Sequence, residues 1–173
     1  EGDGLTASVV DLYEKGISTA SMSKAFSLAG LRLGWVAGPK ALIEEIMIQR
    51  DYDTISVGMI DDHFAALALE NKDKLLARSQ TITRENLATL FDWIESEPKI
   101  TWVKPKSGTT ALLKYELPVA SRDFCVALLK ETGVMLTPGS ALNKEGYVRI
   151  GYANNPDILR EGLKRLSGYL AAQ

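Results

Sequence analysis

Between Ser21 and Trp35 the chain reads Ser-Met-Ser-Lys-Ala-Phe-Ser-Leu-Ala-Gly-Leu-Arg-Leu-Gly-Trp, which sets one amine (Lys24), three hydroxyls (Ser21, Ser23, Ser27) and one guanidinium (Arg32) within a short turn. An amine condenses with an aldehyde to form a Schiff base. Hydroxyls and an arginine fork, which grips phosphate oxygens bidentately, suit a phosphate. Together they suit a small molecule with an aldehyde at one end and a phosphate at the other. Ser-x-Ser-Lys alone also occurs in ordinary solvated turns, so the weight lies on Gly30, Arg32, Gly34 and Trp35 following in step.

Pyridoxal 5'-phosphate (PLP) has those two ends. The segment resembles the cofactor-lysine signature of the class I and II PLP-dependent aminotransferases, which have the aspartate aminotransferase-like fold (fold type I). The resemblance implies that Lys24 bonds the cofactor aldehyde, that Ser21 and Arg32 contact its phosphate, and that Ser23 lines the same turn. Gly30 and Gly34 are expected to let the backbone turn tightly beside the cofactor, where side chains would obstruct it. Trp35 is expected to open a buried strand and to serve packing.

A second constellation, Pro138-Gly139-Ser140 followed by Gly146-Tyr147-Val148-Arg149-Ile150-Gly151-Tyr152-Ala153, resembles the family's C-terminal pattern, a Pro-Gly turn before a strand that carries an arginine for the substrate carboxylate. Arg149 is that candidate. A planar guanidinium offers parallel donors to a planar carboxylate and so fixes both its position and its angle. Arg149 also alternates with Val148 and Ile150 in an apolar strand, where an inward-facing charge without a partner would be costly. Arg122 and Arg160 read as surface ion-pair residues. His63 stands alone on a helix, and Cys125, between Phe124 and Val126, reads as a small core residue. Thr54 and Ser56 fall where the family donates groups toward a neighbouring subunit's cofactor phosphate. Ser107-Gly108-Thr109 falls at a family loop near the substrate, with no single side chain singled out.

These residues need strands and helices to hold them. Leu5 to Lys15 reads as a short helix ended by Gly16, and Ile17 to Ala20 as a strand leading into the lysine turn. Trp35 to Gly38 reads as a second strand. Gly38-Pro39 then starts a helix whose apolar face is Leu42, Ile43, Ile46 and Met47. The helix from Met59 to Asn71 is apolar nearly all round, which predicts burial between layers or subunits. A long helix from Lys72 to about Ser96 carries Leu87, Leu90, Phe91 and Ile94 on one face. Strands and helices alternate thereafter: Ile100 to Val103, Thr109 to Tyr115, a helix to Thr132 behind a Ser121 cap, Val134 to Thr137, and Val148 to Tyr152. The last helix starts at Asn155-Pro156 and repeats Leu159, Leu163, Leu166 and Leu170 on one face.

The fold class is α/β, and the resemblance makes it the C-terminal part of a PLP-dependent transferase: residues 1–75 the end of the large-domain sheet, and residues 76–173 the small α/β domain beginning with a long bridging helix. With 173 residues, 46% of them hydrophobic, the chain can bury a substantial core. A formal net charge of -2 without a basic stripe argues against nucleic acid or an anionic membrane as the main partner. One cysteine cannot close an internal disulfide, and one cysteine with one histidine makes no zinc site. No apolar run is long enough to span a bilayer, and the expected location is the cytoplasm. The family places a whole cofactor-binding region before this lysine. The chain is therefore expected to lack the glycine-rich phosphate turn, the ring-stacking aromatic and the Asp that pairs with the pyridine nitrogen, and to be inactive alone.

The implied function is transfer of an amino group between an amino acid and a 2-oxo acid, in an enzyme that is a homodimer when full length. Three alternatives stand beside it. One is a lyase, cyclase or decarboxylase using the same lysine, since parts of the chain resemble aminotransferases of arginine catabolism and capreomycidine synthase-like enzymes. Another is an aminotransferase-like sensor domain of a transcription regulator, although no basic helix-turn-helix is present. The last is an unrelated α/β domain.

Overall fold

The computed structural model describes residues 6–173 and divides into two compact units, the boundary falling between Ser79 and Gln80. In the first unit a short helix, α1 (Val9–Leu12), precedes an antiparallel pair, β1 (Ser18–Ser21) and β2 (Gly34–Ala37), in which Ser21 lies opposite Gly34. The helix expected from Leu5 is shorter than expected, and Leu5 itself lies outside the described residues. Next come α2 (Lys40–Arg50), α3 (Met59–Glu70) and the start of α4 (Lys72–Ser96). The unit's core is small: buried Met22, Ala65 and Ala68, ringed by half-buried Phe26, Leu28, Leu31, Leu33 and Leu75.

One expectation fails in this unit, and a second, burial of α3 between layers or subunits, is not met within the chain itself. Trp35 is not buried: 38% of it is exposed, because no described element of the unit covers that side of the β1–β2 ribbon, and it meets the Phe26 ring edge-on at 6.5 Å. Nor is α3 buried all round. Only Ala65 and Ala68 are, while Met59 is 87% and Ile60 71% exposed. The all-round apolar pattern is real, but only its small residues meet the rest of the unit.

The second unit is a four-stranded antiparallel sheet, β3 (Ile100–Trp102), β4 (Thr110–Tyr115), β6 (Tyr147–Gly151) and β5 (Thr137–Pro138) in spatial order, with α5 (Ser121–Thr132) and α6 (Pro156–Ala171). One face of the sheet (Ala111, Leu113, Tyr115, Val148, Ile150) joins Leu87, Leu90 and Ile94 of α4, Phe124 and Leu128 of α5, and the Leu159, Leu163, Leu166 and Leu170 stripe of α6 in one core. Side chains alternate across a strand and recur every three or four residues on a helix, so each element offers one apolar face and the faces meet. Phe124 stacks on Tyr115 at 4.7 Å and meets Tyr169 edge-on at 5.6 Å. Cys125 is buried here, and burial pushes its thiol up to about 11.

The cap of α6 is as read: the Asn155 side chain accepts from the N–H groups of Asp157 and Ile158. The cap of α5 is not. Ala120 occupies the cap position and Ser121 is the first helical residue, fully buried, with Glu145 supplying the acceptor. The strand expected over Val134 to Thr137 pairs only at Thr137–Pro138.

Candidate active site

The lysine turn is the loop that joins β1 to β2. Met22, fully buried, anchors it: its N–H donates to the Leu33 carbonyl, and its own carbonyl accepts from Leu28 N–H. Ser27 N–H closes a tight turn onto the Lys24 carbonyl at 3.0 Å. Ser27 (φ 58) and Arg32 (φ 48) both adopt left-handed backbone, a conformation that costs a non-glycine residue on the order of 1 kcal/mol. Local bonds offset that cost: Arg32 Nη1 donates to the Ala29 carbonyl at 2.8 Å, and the Ser27 and Ser79 hydroxyls lie 3.2 Å apart. Gly34 is required where it stands, because a Cβ there would lie 2.5 Å from the Ala20 carbonyl oxygen. Gly30 is different, since a Cβ there meets nothing within 4 Å of the turn itself.

Ser21, Lys24 and Arg32 are exposed and Ser23 is half-buried, all on this one turn. The Ser21 hydroxyl accepts from Ser23 N–H at 3.3 Å. Among the described residues Lys24 makes no hydrogen bond or ion pair, and no acidic side chain pairs with Arg32. An amine beside hydroxyls and a guanidinium without a carboxylate partner among the described residues is a donor set that fits an aldehyde and a phosphate, and so fits PLP.

In the second unit Arg149 sits in the middle of β6, opposite Leu112 of β4 on one side and Thr137 of β5 on the other. The expectation that it faces inward is corrected. Val148 and Ile150 are buried and Arg149 is exposed, because neighbours on a strand point to opposite faces and the helices cover only the other one. Its guanidinium donates from Nη2 to Thr137 Oγ1 at 3.3 Å and has no carboxylate partner among the described residues. The arginines of α6 behave otherwise: Arg160 pairs with Asp157 at 2.6 Å and Arg165 with Glu161 at 2.7 Å.

Other flagged residues are placed as follows. His63 is exposed on α3 beside Phe64, and Thr54 and Ser56 lie in the exposed turn between α2 and α3. Gly108 (φ 99) turns the loop before β4, and its carbonyl accepts from the Tyr152 hydroxyl at 2.8 Å. The buried polar anchors are Ser121, expected only as a helix cap, and Asn86, which the sequence did not single out. Asn86 Nδ2 donates to the Tyr152 and Asn154 carbonyls at 2.6 and 2.8 Å, fixing the connection that leaves β6. Its only sequence signal was an amide on the apolar face of α4. A cleft of about 510 Å³, lined among others by Met135, Ile158, Gly162 and Arg165, contains none of the predicted site residues.

Residues 3–166 match the sequence model of the family described as aminotransferase class I and II. The chain belongs to that family. Class I and II aminotransferases are PLP-dependent, in agreement with the donor set of the lysine turn. Among its relatives is the capreomycidine synthase of Streptomyces vinaceus, 33% identical over 152 residues, a match that covers 87% of this chain and 39% of the relative. The aspartate aminotransferase of Pyrococcus abyssi is 30% identical over 168 residues, covering 95% of this chain and 43% of the relative. The crystal structure of a PLP-dependent aminotransferase from Streptococcus suis superposes with a TM-score of 0.93 at 40% identity, covering 95% of this chain and 44% of that one. The chain thus spans about two fifths of the length of the curated relatives it matches.

Proposed function

We propose that the protein is a PLP-dependent aminotransferase that moves an amino group from an amino acid to a 2-oxo acid. The observation that carries this reading is the exposed Lys24 amine, without a partner among the described residues, in a turn that also presents Ser21, Ser23 and Arg32, within a chain of this family. Bound PLP supplies an electron sink for charge developing at the substrate α-carbon. Lys24 would hold the cofactor through its aldehyde, and its Nζ would take up and return the substrate's proton. Ser21 and Arg32 would bind the phosphate, Ser23 would line the same turn, and Arg149 would bind and orient the substrate carboxylate.

The same proposal includes a homodimer, supported by the uncovered apolar side chains of α3 and of the turn before it, Tyr52, Ile55, Met59 and Ile60 among them. No helix among the described residues is long and apolar enough to cross a membrane, and a cytoplasmic location fits the unpaired Cys125. The 173 residues alone are proposed to be inactive, in keeping with the two-fifths share of the relatives that they span.

A second reading, a cyclase or lyase of the same fold, is favoured by the capreomycidine synthase relative. Incubating the full-length protein with 15N-amino acids and unlabelled 2-oxo acids separates the two. An aminotransferase moves the label into a new amino acid, whereas a cyclase or lyase does not deliver it to the 2-oxo acid. Absence of transfer across the standard amino acids overturns the first reading.

A further inference from the structure

An arginine on the open face of a sheet samples many rotamers, and a carboxylate that binds it must pay for ordering them. Arg149 is such a residue, and among the described residues its one side-chain bond is to Thr137, its direct cross-strand neighbour. Thr137 is built to stay still. Its β-branched side chain has restricted χ1, and the following Pro138 confines its backbone to extended conformations. The strand is anchored at both ends. Leu136 is buried on one side, and on the other Gly139 lies so close to the Lys144 and Tyr147 carbonyls that no side chain fits there. Ser140 N–H then donates to the buried Ser121 hydroxyl at 3.0 Å. The Thr137 hydroxyl is therefore a fixed acceptor beside a mobile guanidinium, and it occupies one N–H while leaving most of the fork free for a ligand.

We propose that Thr137 is a positioning residue that holds the Arg149 guanidinium ready for the substrate carboxylate. This rests on the reading of Arg149 as the carboxylate arginine. Thr137 acts through Arg149: it lowers the ordering cost of the group that binds substrate.

The test uses full-length, cofactor-loaded protein with Thr137→Val, Thr137→Ser, Arg149→Lys and the Thr137→Val/Arg149→Lys double variant. Propionate, a bare carboxylate, serves as the binding probe by NMR titration, alongside KM and kcat for the amino acid that turns over best. Thr137→Val is close to isosteric on an edge strand and keeps β-branching. It should raise the propionate Kd and the amino acid KM about three- to tenfold, the worth of one modest hydrogen bond, with kcat and PLP retention little changed. Thr137→Ser should restore most of the loss, and Thr137→Val should add nothing in the Arg149→Lys background. If Thr137→Val binds propionate like the unaltered protein while Arg149→Lys does not, or if its effect persists in the double variant, the positioning role is overturned and the reading of Arg149 survives. If Arg149→Lys itself leaves propionate binding unchanged, both fall.

Discussion

Ser121 and Glu145, 24 residues apart in the chain, close a two-point clamp at the start of α5: Ser121 N–H donates to Glu145 Oε1 at 2.5 Å, and its hydroxyl donates to Oε2 at 3.1 Å. The carboxylate thus takes the place of an N-cap side chain and sits where the helix dipole favours negative charge. These bonds, the Ser121 backbone donor foremost, hold the Glu145 carboxyl below its ordinary value, while burial and then the nearby Glu145 charge push the Tyr115 phenol up.

A carboxyl depressed in the folded state stabilises the fold above its unfolded value of 4.5 and loses that contribution as pH falls through the folded one. The melting temperature of the unaltered chain should therefore exceed that of Glu145→Gln near neutral pH and converge with it as the solution is acidified below that value. A constant gap between the two melting curves from neutral pH into acid would show that the charge on Glu145 contributes nothing.

Lys24→Ala in the full-length protein should lose the covalently held cofactor and reduce turnover by a factor on the order of 10²–10⁴ or more, the contribution of a positioned proton-transfer group. Borohydride treatment of the unaltered protein followed by peptide mapping should place the pyridoxyl adduct on Lys24. An adduct on Lys15 or Lys40 would mean that the wrong amine has been chosen.

The two arginines should separate. Arg149→Ala is expected to keep PLP but lose on the order of 2–5 kcal/mol of productive amino acid binding, read as catalytic efficiency. Arg32→Ala should loosen PLP first. Paired titrations with PLP and with propionate on each variant check this, and a reversed pattern would exchange their roles.

Ile60→Glu places a charge on the exposed apolar surface of α3, where Ile60 is 71% exposed and buries little in its own chain. The fold of each protomer should be unchanged by circular dichroism, while sedimentation of the full-length protein should shift from dimer to monomer. A dimer of undiminished affinity would move the interface elsewhere.

The chemistry of the lysine turn was legible because it is local. Ser21, Ser23, Lys24 and Arg32 lie within one loop, so their proximity follows from chain connectivity alone. The faces of α4 and α6 were legible for a similar reason, since helical periodicity places Leu87, Leu90 and Ile94, and likewise Leu159, Leu163, Leu166 and Leu170, on one side whatever they pack against. What a face meets is a property of neighbours. That is why α3 keeps an apolar pattern yet buries only Ala65 and Ala68, and why Trp35 lies open on its ribbon. Long-range partners were out of reach for the same reason. Glu145 for Ser121, the Tyr152 carbonyl for Asn86 and Thr137 for Arg149 are set by how the sheet registers and how α4 and α5 lie against it, not by spacing along the chain. Alternation along β6 put Arg149 on the opposite face from Val148 and Ile150 in any fold, but only the helices, by covering the Val148 face, decided that the arginine stays open to a ligand.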